Sequence, residues 1–160
     1  MMHIWKGRAL MNEIDEMIIR LLGKNARMTA SDIGKKIKLS VPAVAQRIRK
    51  LEEKGIVKGY GAVLERRKIG KGLLTFILVD VKGTENIPDF RGKMLSFNEV
   101  VECHHVAGEY DYLLKVAVSD TSELEDFIMG KLKKIPGVAN SRTFIVFSSI
   151  KEEINGGEYS

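Results

Sequence analysis

The sequence predicts an α+β chain in two parts, a helical N-terminal part and a β-α-β-β-α-β C-terminal part. Three observations carry this. Apolar residues recur at helical spacing over residues 12–56. Strand-like apolar runs alternate with helical segments over 73–152. The charge balance also reverses: residues 10–72 hold 15 Lys/Arg against 7 Asp/Glu, a balance of +8, whereas 73–160 hold 9 against 14, a balance of −5. A basic half joined to an acidic half suggests two jobs. The basic half suits a polyanion, since each phosphate it neutralises releases counterions; the plainer alternative is a solvated charged surface.

The first helix is capped by Asn12, with Asp15 at the third position and Ile14, Met17, Ile18, Leu21 and Leu22 as its apolar stripe. "KNAR" breaks it. Thr29 caps a short second helix, with Asp32 three residues on and Ala30, Ile33 and Ile37 inward. "KLS" is a turn whose left-handed position falls on Lys38, where glycine is usual, at a cost of roughly 1 kcal/mol. The third helix opens at Ser40, a good N-cap, accepts Pro42 in its first turn and stops at Gly55. Val44, Ile48 and Leu51 are its inner stripe; Pro42, Ala43, Gln46, Arg49 and Lys50 lie on the other side. Two short helices joined by a tight turn, the second with an exposed polar face, make a helix-turn-helix.

"IVKGYGAVLERRKIGKG" then reads as a strand or extended arm over residues 57–72, ending in a linker, with the domain boundary near Gly70–Gly72. In the second half "LLTFILVDV" is a strand and "IPDFRGKMLSF" a short helix started near Pro88. "VVECHHVAG" and "DYLLKVAVSD" are strands joined by "GEYD". "SELEDFIMGKLKKI" is a helix capped by Ser122 with Glu125 at the capping-box position, and "VANSRTFIVFSSI" is the last strand. This order is that of the ferredoxin-like fold, an antiparallel sheet with both helices on one face. Its first strand is apolar on both faces: Phe76 and Leu78 point one way, Ile77, Val79 and Val81 the other, as Phe144 and Val146 oppose Ile145 and Phe147 in the last strand. Helices cover only one face, so the second is expected to pair with another copy of the chain.

Other classes are disfavoured. No run approaches the ~18 apolar residues of a membrane span. "MMHIWKGRAL" lacks the apolar core of a secretory signal and reads as an upstream start or a flexible arm. The single cysteine, Cys103, excludes an intramolecular disulfide framework, and a cytoplasmic setting is expected. There is no phosphate-cradling glycine loop, nucleophile elbow or paired catalytic carboxylate signature, so no enzyme is expected. "ECHH" tempts as a metal site, but in a strand Cys103 and His105 face opposite to His104 and no fourth ligand is apparent. Buried or interfacial side chains are expected there instead, with no metal and no cofactor.

These segments resemble the Lrp/AsnC, or feast/famine, regulators over roughly residues 12–152. The strongest piece is "IDEMIIRLLGKNARMTASDIGKKIKLSVPAVAQRIRKLEEKGIVKGYGAVL": an Asp in helix one, an Arg before the helix-turn-helix, Leu-Ser at the turn, an Arg in the recognition helix and "LEEKGIVKGY" closing it. "VAGEYDYLL" is similar to the family's Gly-x-x-Asp effector loop. Lys38, in place of the family's usual Gly, and the stretch before Asn12 are departures. The resemblance implies an N-terminal (winged) helix-turn-helix domain, an arm that pairs between subunits, and a C-terminal ferredoxin-like βαββαβ ligand-sensing domain that dimerises through its sheet and often assembles to octamers. The expected layout is an extension at 1–11, a DNA-binding domain at 12–56, arm and linker at 57–72, a sensing domain at 73–152 and a flexible tail at 153–160.

In the third helix Gln46 suits a bidentate contact to adenine and Ala43 a thymine methyl, with Pro42 beside them. Arg47, Arg49 and Lys50 suit phosphates of double-stranded DNA, as does Ser40 with the helix N-terminus. In "GEYD", Gly108 allows a tight turn or close ligand approach, and Asp111 suits an α-ammonium group, with Glu109 assisting and Tyr110 as a wall. The plainer alternative is a hairpin turn only, and an effector here, an amino acid or related metabolite, rests mainly on the resemblance. Two alternatives to a sequence-specific regulator share the scaffold: a nucleoid-like architectural DNA-binding protein, and a sirohaem-decarboxylase-like enzyme in which His104 or His105 contacts substrate, against which the basic helix argues.

Overall fold

The computed structural model describes residues 11–152. The expected extension before Met11 and the expected tail at 153–160 lie outside the described residues. Two compact units are present, one reaching to Val63 and one running from Leu64 to Ile150.

The first unit holds α1 (Glu13–Lys24), α2 (Ala30–Ile37) and α3 (Val41–Glu53). Each starts where a side chain satisfies a free backbone donor. The Ile14 N–H donates to Asn12 Oδ1 at 2.8 Å. Thr29 and Asp32 form a reciprocal capping box, with the Asp32 N–H donating to Thr29 Oγ1 at 3.1 Å and the Thr29 N–H to Asp32 Oδ2 at 3.2 Å. The hydrogen bonds from Thr29 hold the Asp32 carboxyl below its usual range. Ile18, Leu22, Ile33, Val44 and Leu51 bury together as the core of the three helices. Met17, on the flank of the expected α1 stripe, is instead exposed.

After Gly55 the chain runs on without regular structure through Leu64. A strand here has no ladder partner among the described residues, and a lone strand is not stable in water. Inside the expected linker lies a 3-10 turn, Arg66–Ile69, capped by Glu65 and closed by Gly70 at φ 78°. It groups with the sheet, since the compact unit starts at Leu64.

In the second unit β1 (Leu73–Val81), β2 (Val100–His105), β3 (Tyr112–Val118) and β4 (Val138–Ile145) form one sheet in the order β2-β3-β1-β4. All three pairings are antiparallel, giving the ferredoxin-like arrangement. Between the strands lie α4 (Ile87–Ser96), with Pro88 in its first turn, and α5 (Thr121–Glu125). Ile77, Val79, Leu114 and Val116 on the sheet pack with Phe90, Met94, Phe127 and Leu132 from the helical segments.

The second helical segment departs from expectation. Its cap is Asp120, not Ser122: Asp120 Oδ1 accepts from the N–H of both Ser122 and Glu123, at 2.9 and 3.0 Å. Nor does Glu125 close a capping box; Glu123 reaches back instead, accepting the Ser119 N–H at 2.6 Å. After five α-helical residues the chain widens into a π-helical stretch, Asp126–Lys131, and tightens into a 3-10 turn, Leu132–Lys134. Phe127 and Leu132 are both buried. They stand five apart, which on an α-helix would separate them by about 140°; the wide π turn lets both face the sheet.

Candidate nucleic-acid interface and effector loop

α3 is held by its turn and its neighbours. Ser40 Oγ accepts the Ala43 N–H at 3.4 Å, and Pro42 sits in the first turn. Lys38 adopts the left-handed conformation expected of it, with φ 56° and ψ 45°. The glycine this turn requires is Gly34, which sequence reasoning missed. Its backbone carbonyl accepts the Leu39 N–H at 3.0 Å, and a Cβ built there would lie 2.6 Å from the Leu39 carbonyl oxygen. A glycine on the apolar face of a short helix, seven residues before the next helix starts, was the available signal.

Val44 and Leu51 bury the inner face of α3, while Pro42, Gln46, Arg49 and Lys50 are exposed and Ala43 is half-exposed. Arg49 Nε pairs with Glu53 Oε1 at 2.8 Å along the helix. Arg47, expected to be available for phosphate, instead donates from Nη1 to Asp15 Oδ1 of α1 at 2.8 Å. Both residues line a shallow cleft with Ala43, Gln46, Lys50 and Lys54. At the far end of α3, the Tyr60 hydroxyl donates to Glu52 Oε1 at 2.7 Å.

The "GEYD" loop joins β2 and β3. Gly108 has φ 153°, and open space surrounds the position of a Cβ there. Glu109 is exposed and Tyr110 half-exposed. Asp111 is bound into the sheet more firmly than a simple ligand carboxylate would be. Its Oδ2 accepts the Val81 N–H at 2.8 Å, its N–H donates to the Val79 carbonyl at 3.1 Å, and its carbonyl accepts the Val106 N–H at 2.8 Å. Asp111 therefore pins the start of β3 to the end of β1.

The strand alternation in "ECHH" is as expected. Cys103 and His105 stand opposite Leu114 and Tyr112, on the helix side, and His104 opposite Leu113. The three are exposed within the single chain rather than buried. Among the described residues no group of three or more His, Cys, Asp or Glu is placed to hold a metal ion, and no helix is long and apolar enough to cross a membrane.

The sheet face away from the helices has an apolar centre and a charged rim. Phe76 stands opposite Phe144, and Leu78 opposite Leu113. Around them, Lys115 Nζ and His104 Nε2 each lie 3.1 Å from the Glu102 carboxylate. These hydrogen bonds, that of His104 first, hold Glu102 below its usual range. Asn140 donates to Asp80 at 3.3 Å. Phe144 is half-exposed in the single chain, whereas Phe147 beyond β4 is 95% exposed.

Comparison with known proteins matches both units. The family profile described as Lrp/AsnC ligand binding domain covers residues 74–155, and that described as winged helix-turn-helix DNA-binding covers residues 11–58. The leucine-responsive regulatory protein of Haemophilus influenzae is 31% identical over 92% of this chain and 90% of its own length. The proline dehydrogenase transcriptional activator of Rhizobium radiobacter is 32% identical over 89% of this chain and 92% of its own. The crystal structure of a transcriptional regulator of Neisseria meningitidis in complex with L-methionine superposes with a TM-score of 0.86 at 29% identity, covering 89% of this chain and 94% of that one.

Proposed function

The chain belongs to the Lrp/AsnC family of DNA-binding transcriptional regulators with a ligand-binding domain, and from that premise we propose which of its surfaces read DNA, sense a metabolite and pair with a second copy. Residues 12–56 read duplex DNA through the outer face of α3. The exposed amide of Gln46 beside the flat Pro42–Ala43 end, flanked by Arg49 and Lys50, is the observation that carries this reading. Gln46 addresses adenine and Ala43 a thymine methyl, while Arg49, Lys50 and the Ser40-capped helix N-terminus take phosphates. Arg47 stands at the edge of this set because Asp15 engages it.

Residues 73–152 sense the effector, an amino acid or related small metabolite, near Gly108–Asp111. The open backbone at Gly108 gives room for close approach, and Asp111 keeps Oδ1 for an ammonium group while Oδ2 holds Val81. The apolar sheet face centred on Phe76, Leu78 and Phe144 pairs two copies into a homodimer. Within the arm and linker at 57–72, the stretch before the Arg66–Ile69 turn pairs between subunits as the arm. A ligand at the subunit boundary shifts assembly by its difference in affinity between states, and with it the spacing of the two DNA-reading helices. Such a regulator works in the cytoplasm.

Selection of bound genomic fragments, repeated with each amino acid present, tests the whole. Enrichment of a palindromic site modulated by one ligand is the expected result. Binding without sequence preference and without ligand response would replace the regulator with an architectural protein.

A further inference from the structure

Arg47 stands on the helical row of α3 that runs from Ala43 to Lys50 and Lys54, a row that faces one cleft. By position it is a phosphate ligand. Its guanidinium is nevertheless held by a carboxylate 32 residues away, at 2.8 Å. A second ion pair on this helix, Arg49–Glu53, is an i,i+4 pair with side chains 79% and 58% exposed, and such a pair is easily exchanged for water or phosphate. Asp15–Arg47 joins two helices, and its side chains are only 23% and 31% exposed, so solvent screens it less. Asp15 also lies in the first turn of α1 with Glu13 and Glu16, which makes this helix N-terminus unfavourable for a phosphate. A carboxylate in a cleft beside cations both competes for the guanidinium and repels the approaching DNA backbone.

We propose that Asp15 limits sequence-independent DNA binding: its carboxylate withholds Arg47 from the phosphates and leaves a larger share of binding to the base contacts of Ala43 and Gln46. This rests on the assignment of α3 as the DNA-reading helix. Non-specific binding is almost wholly a phosphate term. A freed Arg47 would therefore be most useful where no base contacts fix the register, and there its release adds one contact.

The test measures affinity of the full chain for a random-sequence duplex of about 25 base pairs, long enough for two half-sites, as a function of salt. Asp15→Asn is expected to bind this duplex more tightly than wild type, with a salt slope steeper by about 0.9, so that its advantage shrinks roughly threefold between 50 and 200 mM salt. Asp15→Glu, which keeps the charge, should retain the wild-type slope, and Arg47→Ala added to Asp15→Asn should erase the gain. A purely structural role for Asp15 would instead weaken binding with no steepening, and that result overturns the proposal. Should Asp15→Asn fail to fold, Arg47→Ala alone decides: little change in slope supports the proposal, whereas a slope flattened by a full contact means that Arg47 already sits on a phosphate and overturns it. The underlying assignment has its own arm. If Lys50→Ala and Gln46→Ala both leave DNA binding unchanged, α3 is not the reading helix and both claims fall; if they weaken it while the Asp15 and Arg47 results go against expectation, only the present proposal falls.

Discussion

The Tyr60 hydroxyl donates a 2.7 Å hydrogen bond to Glu52, tying the segment that follows α3 back onto that helix's last turn. Burial and the Glu52 carboxylate beside it push the Tyr60 hydroxyl up to about 12. A folded-state value above the unfolded value of about 10 means that the protonated form is favoured by folding. The contribution is therefore complete below pH 10 and is lost as pH rises through about 12. Tyrosinate absorbance of wild type minus that of Tyr60→Phe should titrate near pH 12. The substitution itself should cost less than about 1 kcal/mol, because it breaks a bond between largely exposed groups.

Gly34 and Lys38 should respond in opposite directions to substitution. Gly34→Ala drives a methyl group against the Leu39 carbonyl, and overpacking of this kind costs about 1–3 kcal/mol. Lys38→Gly relieves a left-handed residue and should be neutral or stabilising by up to about 1 kcal/mol, the glycine's extra unfolded-state freedom offsetting part of the gain. Urea denaturation of both variants is the check. A strongly destabilised Lys38→Gly would mean that the lysine side chain, not its backbone, supports the turn.

Asp111→Ala would confuse two effects, since it removes both a charge and the acceptor of the Val81 N–H; leaving that donor unpaired costs about 1–3 kcal/mol. Asp111→Asn keeps an acceptor and removes the charge. It should retain most of the stability and bind DNA as wild type does, while losing amino-acid binding by calorimetry. Unchanged ligand binding in this variant would place the effector site elsewhere.

Phe76→Asp puts a charge into the centre of the open sheet face, opposite Phe144. Sedimentation of the full chain at micromolar concentration should shift from dimer to monomer, with the circular dichroism of the fold retained. A dimer that survives this substitution uses another surface.

Local chemistry was the legible part. Caps at Asn12, Thr29 and Ser40, the left-handed Lys38, the strand order and the two-sided β1 all depend on neighbours in sequence, and all are found. Contacts that close over distance were not legible. Nothing in the spacing announces that Arg47 meets Asp15, or that Asp111 reaches Val81 across 30 positions; both require the fold first. The misplaced cap at Ser122 is a different failure. Two competent cap residues lie two apart, each with a Glu three positions on, so the local pattern does not choose between them; in the structure Asp120 caps and Glu123 accepts the Ser119 N–H. The π stretch leaves one signal, the five-residue step from Phe127 to Leu132, while the segment's sequence predicts one continuous helix.

That step has a consequence for chain length. Between Phe127 and Leu132 the backbone holds one residue more than a regular helix needs to bring two anchors onto one face at four-residue spacing. Removing a residue from a helix normally turns every later side chain by about 100° and ruins the packing beyond it. Here the loss of Gly130, which has open space around it, would convert the wide turn to an ordinary one and leave Leu132 and Ile135 facing the sheet. The segment is one place where this protein can tolerate a shorter gene as readily as a changed letter.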